Sequence, residues 1–114
     1  MKLEFLYVPT ADVTASLGVY RDVLGATEIW REGEATVALG LPGTEVQVML
    51  DLDERASAGP LFTVDSVLDF HATRADALVV VSEPAEIPGG YMATYRDPGG
   101  TTIYLLDQST SDAG

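Results

Sequence analysis

The 114 residues suffice to bury one core and are too few for two independent ones, and 46% apolar with 21% charged residues is an ordinary globular balance. Eighteen Asp and Glu against six Lys and Arg leave a net charge of −12, a field that repels phosphate backbones and anionic headgroups, which excludes nucleic acid and membrane as partners. With no cysteine, disulfides, thiolate metal sites and thiol nucleophiles are excluded as well.

The first segment, KLEFLYVP (2–9), alternates as a strand, and Asp12 then offers a helix N-cap. Val13, Leu17, Tyr20 and Leu24 follow at spacings of four, three and four, one buried helical stripe that ends where Gly25 supplies a left-handed cap. Three short strands come next, ATEIW (26–30), ATVALG (35–40) and EVQVML (45–50), separated by the turns REGE and LPGT. The polar stretch after them reads as a linker, 53–58. The order then repeats: strand PLFTV (60–64), a cap at Asp65 or Ser66, and a helix carrying Val67, Phe70 and Arg74. Strands LVVV (78–81), YMATYR (91–96) and TIYLLD (102–107) complete the second copy. An offset of 54 residues places Phe5 on Gly59 and Asp12 on Ser66 without a gap, as an internal duplication would. The expected organisation is therefore one domain, 1–107, of two βαβββ units (1–52 and 59–107) with a flexible tail, 108–114. No apolar run approaches the roughly 18 residues that span a bilayer, and MKLEFLYVPTAD lacks a small-residue cleavage site, so a cytoplasmic location is expected.

Four pieces, YVPTADV (7–13), VYRDVLG (19–25), TVDSV (63–67) and YRDPGGTTIYLLD (95–107), set in this duplicated order, resemble the vicinal oxygen chelate superfamily. That superfamily holds glyoxalases, bleomycin-resistance proteins, fosfomycin-modifying enzymes and extradiol dioxygenases. Val19 stands where an aromatic is common, and Gly99 and Thr101 replace the usual Asp and Asn of the last turn. The resemblance implies an α+β fold in which the two units form a curved eight-stranded mixed sheet with helices on the convex side and a pocket on the concave side. In metal-dependent relatives one His or Gln and one Glu from each unit bind a divalent ion on that concave face. The corresponding positions here are Phe5 and Gln47 in the first unit and Gly59 and Tyr104 in the second. Phe and Gly have no side-chain donor and a neutral phenol is a poor ligand, so the resemblance implies a branch with no metal and no cofactor.

If Phe5 faces the pocket, alternation puts Tyr7 beside it, Met49 beside Gln47 and Leu61 beside Gly59. Pairing Arg96 with Thr101 across a four-residue turn would put Tyr91, Tyr95 and Tyr104 on one face. The expected ligand-binding set is thus Phe5, Tyr7, Gln47, Met49, Leu61, Tyr91, Tyr95 and Tyr104, with no catalytic residue assigned. Such a surface suits a flat aromatic guest, since rings stack and phenol hydroxyls orient it; filler packing between the strands is the competing reading. His71 reads as a solvated helix residue, and Glu83 and Glu86 around Pro84 as surface charge, with a general-base role as the alternative. Trp30 is core or pocket wall.

The expected function is a metal-free, glyoxalase-like and bleomycin-resistance-like protein that binds a small hydrophobic or aromatic molecule. The alternative is a lyase, isomerase or dioxygenase-type enzyme of the same superfamily with an atypical or metal-independent site. A homodimer is expected, because half-open sheets in this family commonly complete their pockets against a partner and two-fold pairing is the commonest closed symmetry.

Overall fold

The alternation and capped stripes of the sequence become strands and helices in the expected order. These are β1 (Lys2–Thr10), α1 (Val13–Gly18), β2 (Thr27–Glu32), β3 (Thr36–Gly40), β4 (Gln47–Leu52), β5 (Gly59–Thr63), α2 (Val67–Thr73), β6 (Val79–Ile87), β7 (Gly90–Arg96) and β8 (Thr102–Leu106). The computed structural model describes residues 1–110 and has an eight-stranded mixed sheet, an α+β fold. Contacts divide the chain into two compact units, Glu4–Ala58 and the chain from Gly59 onward together with Met1–Leu3. No described helix is long and apolar enough to cross a membrane.

In the Glu4–Ala58 unit the strands lie in the order β2-β3-β4-β1, with β1 parallel to β4 and the other two pairings antiparallel. Every second residue of β3 and β4 (Val37 and Leu39, Val48 and Leu50) is buried against Val13 and Leu17 of α1. Asp12 starts α1, its extended backbone letting the carboxylate accept the Ala15 N–H at 3.0 Å. The helical stripe does not run straight to Leu24. After Gly18 the chain switches to a π-helical segment, Val19–Val23, in which the Leu24 N–H donates to the Val19 carbonyl. The wider turn advances each residue by less than the usual 100°, so Tyr20 still packs on the core while Leu24 swings out, 53% exposed. Gly25 follows at φ 77°, the left-handed cap its position called for.

The second unit has the order β5-β8-β7-β6, with β5 parallel to β8. Ser66 caps α2 by accepting the Asp69 N–H at 3.1 Å, and Val67 and Phe70 pack on Ala93, Tyr95 and Leu105. Strand β6 runs well past the expected LVVV through Pro84, which is tolerated because its pairing with β7 shifts register between Val80 and Ser82 and again before Ala85. Asp107 ties the unit together. Its carboxylate, 1% exposed, accepts the N–H groups of Val67 (2.6 Å), Tyr91 (2.9 Å) and Ser109 (3.1 Å) and the Ser109 hydroxyl (2.8 Å). Of the tail expected at 108–114, the described part is held by these bonds and by the Thr110 N–H on the Gly89 carbonyl; the remainder lies outside the described residues.

The β7–β8 turn changes the expected register. The Gly100 N–H donates to the Asp97 carbonyl, Gly100 takes φ 92°, and Asp97 itself faces Thr101 through its N–H. The loop is therefore three residues with a left-handed glycine, not four, and Arg96 pairs with Thr102. A slip of one residue sends each side chain of one strand to the other face relative to its expected partners.

Candidate functional site

In the Glu4–Ala58 unit, α1 covers one sheet face, and the opposite, helix-free face is fixed by register. Phe5 lies beside Gln47, and Tyr7, Met49, Ala38 and Trp30 form a row across β1, β4, β3 and β2. One step along, Pro9, Asp51, Thr36 and Glu32 form a second row. The four residues expected here, Phe5, Tyr7, Gln47 and Met49, are thus brought together, and Trp30 is settled on the same face. Phe5 and Tyr7 are packed (9% and 6% exposed), whereas Trp30 is 39% exposed.

Asp51 is a functional candidate the sequence reading did not single out, just past the strand expected at 45–50. Its carboxylate accepts the Tyr7 hydroxyl and, at 2.6 Å, the Thr36 hydroxyl, which fixes all three side chains. The alternation that selects Gln47 and Met49 extends to residue 51, so one more residue of strand would have placed it on this face. Gln47 is the converse case: its Oε1 is buried and has no hydrogen-bond partner among the described residues. A buried carbonyl left unpaired is costly, and a ligand N–H or O–H would remove the cost.

In the second unit Leu61 pairs with Tyr104, and Tyr104 with Thr94, on the face away from α2. The structure does not bring Tyr91 and Tyr95 to them. The one-residue register change places Tyr95 opposite Ile103, and both Tyr91 and Tyr95 pack into the cluster under α2. Tyr95 is fully buried, edge-on to Phe70 with ring centroids 5.8 Å apart. Its hydroxyl lies 2.7 Å from Nδ1 of His71, whose Nε2 is 2.8 Å from a Glu83 carboxylate oxygen. His71 is therefore not a solvated helix residue but a bridge between a core phenol and a surface carboxylate. Burial raises the Tyr95 pKa above its usual value, with Arg74 opposing and Glu83 reinforcing, so the phenol stays protonated and acts as a donor.

No family model matches the sequence, and no curated protein does. Solved structures match through the fold. A structure described as NAD-dependent benzaldehyde dehydrogenase from Legionella pneumophila superposes with a TM-score of 0.76 at 16% identity over 90% of this chain and 96% of that one. Methylmalonyl-CoA epimerase from Mycobacterium tuberculosis gives 0.62 at 21% identity over 93% and 87%. A glyoxalase/bleomycin resistance protein/dioxygenase superfamily member from Vibrio splendidus 12B01 gives 0.61 at 18% over 90% and 95%. The chain has the vicinal oxygen chelate fold.

The metal of many vicinal oxygen chelate proteins does not fit the residues this chain puts at the corresponding positions. Phe5 carries no donor. Gly59 carries no side chain, and cannot gain one in place, because a Cβ there would stand 2.1 Å from the Thr102 carbonyl oxygen. Among the described residues no group of three or more His, Asp or Glu side chains could hold an ion. The chemistry these residues offer is hydrogen bonding and apolar contact on the helix-free faces.

Proposed function

We propose that the chain is a metal-free binding protein that takes a small hydrophobic or aromatic molecule carrying a hydrogen-bond donor against the helix-free face of the Glu4–Ala58 unit. The observation that supports this reading most is the unpartnered Gln47 Oε1, set beside Phe5 and next to the Tyr7, Met49, Ala38 and Trp30 row. Apolar neighbours provide the affinity of such a site and one acceptor fixes orientation. The hydroxyl of Tyr7, turned into Asp51, leaves the aromatic ring as the surface it offers. A metal-independent enzyme using a tyrosine base is the weaker reading, since Tyr95 is fully buried and its pKa is raised rather than lowered.

A thermal-shift screen of planar aromatic compounds, matched in size with and without an N–H or O–H group, tests the proposal. Binding at one hundred times Kd adds about 2.7 kcal/mol of stability, and donors are expected to outperform their matched analogues. Absence of any stabilising compound, or a preference for donors that survives Gln47→Leu undiminished, overturns it.

A further inference from the structure

Strand β2 differs from the rest of its unit. All six of its residues are exposed, and among the described residues it pairs on one side only, with β3. Exposed apolar side chains crowd this stretch of chain: Val19, Val23 and Leu24 lead into the strand, and Ile29 (52%) and Trp30 (39%) lie on it. Isolated exposed aliphatics need no explanation, but a concentration of them beside an unpaired strand edge marks an interaction surface.

The charge pattern says what fits there. A register irregularity between Glu28 and Trp30 inserts one extra residue into β2. Glu28 and Arg31 therefore share a face, opposite Leu39 and Val37, and form an ion pair at 2.6 Å. Ile29 and Trp30 share the other face: Trp30 is opposite Ala38, and the Ile29 side chain lies over Gly40, 3.0 Å from where a Cβ would stand. Without the extra residue, positions 28 and 31 would point to opposite faces.

We propose that β2 pairs antiparallel with β2 of a second copy of this chain across a two-fold axis perpendicular to the sheet. In the self-matching register, Glu28 stands against the partner's Arg31 and Arg31 against the partner's Glu28, while Ile29 stands against the partner's Trp30 and the reverse. A two-fold axis of this kind requires paired residues to share a face in both copies, and the inserted residue is what satisfies that requirement. The strand is thus self-complementary in charge, in apolar surface and in facing. Two chains that each carry −12 repel at long range, so local pairing of opposite charges is the condition for their meeting. A six-residue edge is smaller than a standard interface, which places the dimer in the weak, micromolar range.

Sedimentation equilibrium of the full chain from about 1 to 200 µM spans that range. The expected result is a reversible shift from 12.1 kDa to twice that mass. The chain has one tryptophan, so the emission of Trp30 is expected to move to shorter wavelength along the same concentration curve, with no variant required. Glu28→Arg and Arg31→Glu each set like charges against each other twice and should weaken the dimer about tenfold or more, and the double exchange should restore it. A 12.1 kDa mass at every concentration overturns the proposal. So does a dimer whose Trp30 emission stays unchanged, or one that ignores the single reversals while circular dichroism shows them folded.

Discussion

The Tyr95 hydroxyl and the Nδ1 of His71 lie 2.7 Å apart, joining the fully buried middle of β7 to α2. Nε2 of His71 faces Glu83 at 2.8 Å, so one ring edge meets a core phenol and the other a surface carboxylate. One end of this chain is in the core and the other in water, so the two bonds differ in weight: the Glu83 end is exposed and screened, the Tyr95 end is not.

Breaking the Tyr95 end should therefore hurt more than breaking the Glu83 end. His71→Ala strands a buried hydroxyl and is expected to cost about 1–3 kcal/mol, roughly 4 °C in Tm for each kcal/mol, whereas Glu83→Gln should cost under about 0.5 kcal/mol. Tyr95→Phe removes the group that needs a partner, so His71→Ala made in a Tyr95→Phe background should lose much less than in the wild type. Urea melts of the four proteins of that cycle measure it, and additive losses would show that the bond carries no coupling.

Asp107 makes stability depend on acid. Burial is the largest single influence on its carboxyl and pushes the pKa up, but the bonds from Val67, Ser109 and Tyr91 together outweigh it and hold the pKa below the usual carboxylate value. A folded-state pKa below the unfolded value of about 3.9 means that the stabilisation is complete above that pH and is lost as pH falls through the folded value. Asp107→Asn is expected to be less stable than wild type at pH 7, with the gap narrowing as pH falls below the unfolded value of about 3.9 and the wild-type carboxyl takes up its proton. Denaturation midpoints at pH 7, 4 and 2.5 decide this; a gap independent of pH would show that the lost contacts act through shape alone.

The resemblance to metal-dependent chelate proteins implies a ligand position at Gly59, and the Thr102 carbonyl leaves no room for a side chain there. Gly59→Ala places a Cβ that can be accommodated only by separating β5 from β8, an overpacking expected to cost about 3 kcal/mol or more, and Gly59→His should fare no better with zinc than without it. Thermal melts with and without zinc test both. A Gly59→His protein as stable as wild type, or one stabilised by zinc, would contradict the close approach.

Much of this arrangement is legible in the residue pattern because it depends on period alone. Alternation in KLEFLYVP and EVQVML fixes which of Phe5, Tyr7, Gln47 and Met49 share a face, and parallel pairing then sets them side by side. What the pattern does not carry is turn geometry and helix pitch. Asp97 to Thr101 reads equally well as a four-residue or a three-residue loop, and only the left-handed Gly100 decides between them, which moves Tyr91 and Tyr95 away from Tyr104. The π-helical segment likewise leaves no mark in the spacing of Val13, Leu17, Tyr20 and Leu24, yet it takes Leu24 out of the core. His71 goes unrecognised for a different reason: its partner Tyr95 is 24 residues away, beyond the reach of any local pattern.

Gln47 separates binding from stability in one experiment. A residue kept for the fold should destabilise the protein when replaced, but the Gln47 Oε1 is buried with no partner, so the native state already bears the desolvation of that oxygen. Gln47→Leu is close in size, removes the unpaired acceptor and adds apolar contact with Phe5, its neighbour in register. The variant is expected to be more stable than wild type in the absence of ligand, by about 1 kcal/mol, a rise of roughly 4 °C in Tm. The same substitution should abolish the preference for donor-bearing compounds over their matched analogues while leaving apolar binding in place. Stability that rises as discrimination falls is the signature of a polar group retained for a ligand at the expense of the fold. A Gln47→Leu protein with a lower Tm would instead show that the amide is held by the fold itself, and that the acceptor on this face is not waiting for a guest.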